Sequence, residues 1–142
     1  MGAGLYLHVP FCRRKCPYCN FYSVPAQPEL LTAYTAAVCR NLRHYGNAAQ
    51  PERVDTVYFG GGTPSLLLPA QIAQILETAA EQFALSADAE ITLEANPATV
   101  TPEQLRELRH AGINRLSLGV QSLSDAQLKR LGRLHTAQEA VE

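Results

Sequence analysis

Strand-like stretches alternate with helical ones along this chain, and that order limits its fold more than any other feature. Leu5 to Val9 is an apolar run stopped by Pro10. Beyond a cysteine-bearing loop, Leu31, Tyr34, Val38 and Leu42 recur at helical spacing and predict a helix from about Pro28 to Tyr45. Arg53 to Phe59 reads as a second strand closed by Gly60-Gly61-Gly62, and Pro69 opens a helix carrying Ile72, Ile75, Leu76 and Ala79. Glu90 to Glu94 is a third strand broken by Asn96-Pro97. Thr101, Pro102 and Gln104 then supply an N-cap, a first-turn proline and the partner of a capping box for a helix ended by Gly112. A fourth strand, Arg115 to Val120, precedes a helix capped by Ser124 with Leu128 and Leu131 on its apolar side.

Such alternation calls for parallel strands joined by helical crossovers, as a barrel or an open doubly wound sheet. Four units fall short of the eight that close a (β/α)8 barrel. Thr136 and Glu139, spaced as a capping box, are expected to begin a further helix that the chain leaves at Glu142. The expectation is an α/β chain, a partial barrel truncated after about four units. Its strands sort by face. Leu5, Leu7 and Val9 oppose Tyr6 and His8; Ile91 and Leu93 oppose Glu90, Thr92 and Glu94; Leu116, Leu118 and Val120 oppose Ser117, Gly119 and Gln121. Small and polar residues on the face away from the helices predict an open, occupied lumen. Val57, Tyr58 and Phe59, three in a row, do not sort.

The 142 residues are 46% hydrophobic and 18% charged, which suits a folded domain and excludes a disordered linker. With 12 basic and 13 acidic residues, the formal net charge of −1 provides no global field for nucleic acid or an anionic membrane. No apolar run approaches the ~20 residues of a membrane span, so no integral membrane segment is expected and the chain reads as cytoplasmic. In that compartment its four cysteines are poor candidates for structural disulfides.

Three of them form Cys12-x3-Cys16-x2-Cys19, and Pro17 disfavours a continuous helix through the triplet. A loop with converging sulfurs suits metal or redox chemistry. Zinc would need a fourth ligand, such as His8 or His44. A four-iron cluster held by three thiolates would leave one iron open to a small chelating ligand. Cys16-Pro17-Tyr18-Cys19 is also a dithiol motif of the thioredoxin type, which leaves Cys12 unexplained. Arg13, Arg14 and Lys15 read as a solvated run or as the docking patch of an electron donor. Cys39 reads as a small buried hydrophobe, His8 as a structural histidine and Tyr34 as core. Gly60-Gly61-Gly62-Thr63-Pro64 matches no phosphate-binding loop and is either a tight turn or a place where exposed amides and carbonyls meet a zwitterionic ligand. Glu94 and Gln121 stand where successive strands end, the edge at which α/β folds bind ligands.

The cysteine triplet with Tyr18 before its last member resembles the signature of the radical S-adenosylmethionine (SAM) superfamily. Tyr6-Leu-His-Val-Pro-Phe-Cys12, Tyr58-Phe-Gly-Gly-Gly-Thr-Pro64, Leu93-Glu-Ala-Asn-Pro97 and Leu116-Ser-Leu-Gly-Val-Gln-Ser122 are similar to segments of the oxygen-independent coproporphyrinogen III oxidase family and its heme chaperone branch. The resemblance implies that residues 1–142 are the N-terminal part of a radical SAM core domain. It implies a [4Fe-4S] cluster on Cys12, Cys16 and Cys19, with SAM chelating the fourth iron. Tyr6 and Tyr18 would line the SAM pocket, Gly61, Gly62 and Thr63 would meet its methionine end, and Glu94, Gln121 and Arg133 would add polar contacts. In members that catalyse, one electron cleaves SAM to methionine and a 5′-deoxyadenosyl radical. Implied partners are heme or a porphyrin, an electron donor such as flavodoxin or ferredoxin, and a heme acceptor protein. Family oxidases carry a further cysteine two residues after the third. Here that position is Phe21, as in the chaperone branch, which turns the expectation from oxidase towards chaperone.

Overall fold

A computed structural model describes residues 2–48 and 53–141. β1 (Ala3–Val9) leads into β2 (Phe11–Cys12), the cysteine loop and β3 (Val24–Pro25), then α1 (Pro28–Ala48). There follow β4 (Arg53–Gly61), α2 (Pro69–Gln82), β5 (Ala84–Ala95), α3 (Pro102–His110), β6 (Arg115–Leu118) and α4 (Asp125–Arg130). β1, β4, β5 and β6 lie side by side in that order, all parallel, and β2 pairs with β3 in a separate two-stranded ladder. The sheet is the expected parallel α/β arrangement, and it is open.

Register explains the strand that the sequence leaves unsorted. Leu7, Phe59, Leu93 and Leu116 are successive partners across the four strands, and Tyr6, Tyr58, Thr92 and Arg115 form the adjacent row. Val57 and Phe59 are therefore core, with Leu7, Val9 and Leu93, packed with Ile72, Ile75, Leu76 and Ala79 of α2 and Cys39 and Leu42 of α1. Each fully buried large apolar side chain in that layer contributes roughly 1.5–3 kcal/mol. Tyr58 turns to the other face, where its ring stacks on Tyr6 with centroids 6.1 Å apart. Tyr34 is half-buried; its ring meets Phe11 edge-on at 5.4 Å and its hydroxyl donates to the His8 carbonyl at 2.7 Å.

Several boundaries differ from the sequence expectation. β5 starts at Ala84, six residues before Glu90, because Arg53 and Val54 of β4 already pair with Ala84 and Leu85. β4 continues through Gly60 and Gly61, which pair with His8 and Val9. β6 stops at Leu118 instead of Val120: Val120 N–H turns back to the Leu118 carbonyl at 3.0 Å, and the Gly119 carbonyl accepts from Arg133. Thr92 lies on the polar face yet is buried, because its hydroxyl donates to Glu90 at 3.2 Å and accepts from Arg115 at 3.3 Å. Leu116 and Leu118 sit on the helix-facing side but are 38% and 47% exposed, since among the described residues no strand pairs beyond β6.

The caps are mixed. Thr101 and Gln104 form their reciprocal box, with Gln104 N–H on Thr101 Oγ1 at 3.2 Å and Thr101 N–H on Gln104 Oε1 at 3.0 Å. Gly112, at φ 113°, ends α3 as expected. Ser124 occupies the cap position of α4 without a side-chain bond. The Thr136–Glu139 box closes, but the described residues beyond it wind as turns and not as a further α-helix, and Glu142 lies outside the described residues. Among the described residues no helix is long and apolar enough to cross a membrane.

Candidate cluster and cofactor site

The cysteine loop leaves the sheet at Pro10 and is tied at its neck. Val24 N–H donates to the Pro10 carbonyl at 2.8 Å and Ala26 N–H to the Cys12 carbonyl at 3.1 Å. Cys16-Pro17-Tyr18-Cys19 forms a turn closed by Cys19 N–H on the Cys16 carbonyl at 3.0 Å, with proline where such turns favour it. The helix excluded by Pro17 is absent, and among the described residues no helix N-terminus stands behind Cys16 to activate it as a thioredoxin-type nucleophile.

The glycine turn after β4 forms the floor. Gly62 N–H bonds the Val9 carbonyl at the end of β1 at 2.8 Å, and Thr63 N–H bonds the Phe11 carbonyl at 2.7 Å, which staples β2 to this turn. Gly62 permits that approach: a Cβ there would lie 2.5 Å from the Phe11 carbonyl oxygen. Gly61 N–H donates to Glu94 Oε2 at 3.0 Å, while the Tyr58 hydroxyl donates to Oε1 at 2.7 Å. The three amides of Gly61, Gly62 and Thr63 are thus already engaged, which corrects the expectation of exposed amides. The bond to Glu94 pushes the Tyr58 phenol pKa up, so it remains a donor.

A third wall comes from the far end of the chain. The end of α4 is a Schellman turn, with Arg133 N–H on the Leu128 carbonyl at 2.9 Å, Gly132 N–H on the Lys129 carbonyl at 3.1 Å and Gly132 at φ 70°. It delivers Arg133 to the cysteine loop. The guanidinium donates to Asn96 Oδ1, to the Gly119 carbonyl and, at 3.7 Å, to Cys16 Sγ. Thr63 Oγ1 donates to Cys12 Sγ at 3.6 Å and accepts from Asn96 Nδ2 at 3.2 Å. Burial pushes the Tyr18 phenol pKa up; the nearby Arg133 charge opposes that shift and the Cys16 sulfur adds to it.

These walls enclose a cavity of about 340 Å³ at the C-terminal ends of the strands. Cys12, Cys16, Cys19, Tyr18, Gly61, Gly62, Thr63, Glu94, Gln121 and Arg133 all line it. Tyr6 does not; its ring reaches the wall only through Tyr58, and its hydroxyl pairs with His8 Nδ1 at 3.0 Å. Sequence reasoning took Asn96 for a strand breaker and missed it as a lining residue. Its position one residue past the end of β5 was the available signal.

Cys12, Cys16 and Cys19 offer free thiols to one cavity, the donor chemistry that an iron–sulfur cluster uses, although among the described residues no three His, Cys, Asp or Glu side chains stand close enough together to hold a metal ion. His8 is engaged with Tyr6, and His44 lies on α1 against Tyr45 at 5.5 Å. Arg133 adds a second observation. Its Nε is buried without a partner, and among the described residues no carboxylate is within ion-pair distance of it, so a guanidinium without an ion pair stands beside Cys16.

Gln121 lines the same cavity at φ 71°, the left-handed region that favours glycine. Gln121→Gly is expected to raise stability by about 0.5–1 kcal/mol, strain relief exceeding the chain entropy glycine loses on folding. Thermal melting checks this; a lower melting temperature contradicts the strain argument.

The radical SAM superfamily profile matches residues 6–142. The chain belongs to that superfamily. Its relatives there are the HemN/HemW-like proteins. It is 44% identical over 138 residues to the heme chaperone HemW of Escherichia coli (strain K12), covering 96% of this chain and 36% of that one. It is 44% identical over 140 residues to the mitochondrial radical S-adenosyl methionine domain-containing protein 1 of Mus musculus, covering 98% and 31%. Among solved structures it resembles coproporphyrinogen III oxidase (HemN) from Escherichia coli, a radical SAM enzyme, with a TM-score of 0.87, 31% identity and coverage of 96% and 32%. The chain thus spans about a third of the length of these relatives.

Proposed function

We propose that this chain is the N-terminal part of a radical SAM core domain in a heme chaperone-like protein, and that it binds a [4Fe-4S] cluster and SAM. The carrying observation is the gathering of Cys12, Cys16 and Cys19 with Glu94, Gln121 and Arg133 around one cavity. When bound, the cluster supplies an iron for SAM to chelate and a route for one electron. The chain's own residues hold and orient the ligand. Glu94, fixed by Tyr58 and Gly61, presents a carboxylate to an ammonium, and the carbonyls of the glycine turn suit the same group. Arg133 lines the same cavity and suits a carboxylate. Tyr18 and Phe21 give the cavity an aromatic mouth against which an adenine ring can pack.

Phe21 supports chaperone over oxidase. It is 66% exposed at the cavity mouth, where the resemblance places the further cysteine of family oxidases. On this reading heme is the cargo, passed to an acceptor protein in the cytoplasm, and flavodoxin or ferredoxin is the class of electron donor. Heme-binding titration and coproporphyrinogen turnover on the protein with its cluster in place separate the two readings. Stoichiometric heme binding with no decarboxylation is expected; decarboxylation of the propionate side chains would make it an oxidase.

A further inference from the structure

Asn96 stands at the midpoint of a continuous polar chain that begins on one cysteine sulfur and ends on another. From Cys12 Sγ it runs through Thr63 Oγ1, Asn96 Nδ2, Asn96 Oδ1 and the Arg133 guanidinium to Cys16 Sγ. Its ends come from segments 51 and 117 residues away from the cysteines they touch.

Donor chemistry fixes every direction in it. Arginine only donates, so the Asn96 carbonyl oxygen must face Arg133 and its NH₂ must face Thr63. Thr63 Oγ1, already accepting from Asn96, has its own proton left for Cys12 Sγ. Both ends therefore present hydrogens to sulfur. The backbone of Asn96 is separately pinned: its N–H donates to Thr99 Oγ1 at 3.2 Å, and its carbonyl accepts from Thr99 N–H at 2.9 Å and Thr99 Oγ1 at 2.7 Å. The Thr99 hydroxyl is itself buried against Ser65 at 2.7 Å. Asn96 is also neutral, so it positions Arg133 without cancelling its charge.

We infer that Asn96 is a positioning residue that aims donors at two cluster-ligating cysteines together and so raises the reduction potential of the cluster. The inference rests on the proposed ligation by Cys12 and Cys16. Hydrogen bonds and positive charge at ligating sulfurs favour the reduced, more negative cluster. An aspartate of nearly equal shape reverses both effects: it pairs with Arg133 as a counter-charge and, being acceptor-only, draws the Thr63 proton away from Cys12.

The test is an anaerobic redox titration, followed by electron paramagnetic resonance with iron content measured in parallel, on the unmodified protein, Asn96→Asp and Thr63→Val. Asn96→Asp should keep its iron and shift the midpoint potential to more negative values. Thr63→Val, which removes the Cys12 donor alone, should shift it in the same direction by less. Full iron with an unmoved potential in Asn96→Asp overturns the inference and leaves the ligation intact. Should Asn96→Asp fail to fold, an unmoved potential in Thr63→Val overturns it equally. An unmodified protein that takes up no cluster removes the ligation itself, and the inference with it.

Discussion

Replacing Cys16 with alanine is expected to abolish cluster assembly, while Cys39→Ala leaves it intact. Cys16 Sγ lines the cavity under the Arg133 guanidinium, whereas Cys39 is 2% exposed between α1 and α2, with its thiol towards the Gln74 carbonyl. The second substitution should cost about 1 kcal/mol of stability, in keeping with a small loss of buried volume. Iron content after anaerobic reconstitution distinguishes them. Loss of iron to background in Cys16→Ala with retention in Cys39→Ala is expected; equal loss in both would overturn the ligand assignment.

Gly62→Ala should be strongly damaging although it touches no charged group and no cysteine. The new methyl must lie 2.5 Å from the Phe11 carbonyl oxygen and 3.0 Å from its carbon and nitrogen, all backbone atoms that cannot rotate away. Relief requires β2 to separate from the glycine turn, which breaks the Thr63 N–H bond to the Phe11 carbonyl that holds the cysteine loop. Overpacking at about 1–3 kcal/mol and one lost hydrogen bond at about 1 kcal/mol give a loss of roughly 2–4 kcal/mol. Cluster retention should fall with it, since Cys12 rides on β2. Gly60→Ala is the control. Its methyl would meet the rings of Tyr58 and Tyr6, which can swing into the open lumen, and the loss of stability should be smaller. Denaturant unfolding of both variants checks the comparison, and equal losses contradict the stapling argument.

What the sequence made legible was what local chemistry determines. Proline positions located the ends of β1 and β5 and the helix starts, and the apolar spacing of Ile72, Ile75, Leu76 and Ala79 identified a face that is wholly buried. The cysteine triplet and the residues at strand ends pointed to the cavity they line. What escaped depends on contacts between distant segments. β5 begins at Ala84 because β4 offers it partners, although Ser86, Ala87 and Asp88 break any apolar alternation. β6 ends early because Arg133, fourteen residues on, takes the Gly119 carbonyl. Asn96 carries no sign in its own neighbourhood that Thr63 and Arg133 will meet on its side chain; only folding brings them together. The glycine amides looked available until Val9, Phe11 and Glu94 were seen to occupy them.

The most direct measurement is the iron and acid-labile sulfide content of the unmodified chain after anaerobic reconstitution, read together with its zinc content. Three free cysteines lining one cavity, beside an arginine that has no carboxylate partner among the described residues, predict about four iron and four sulfide per chain. One zinc per chain with no sulfide would contradict the account at its root.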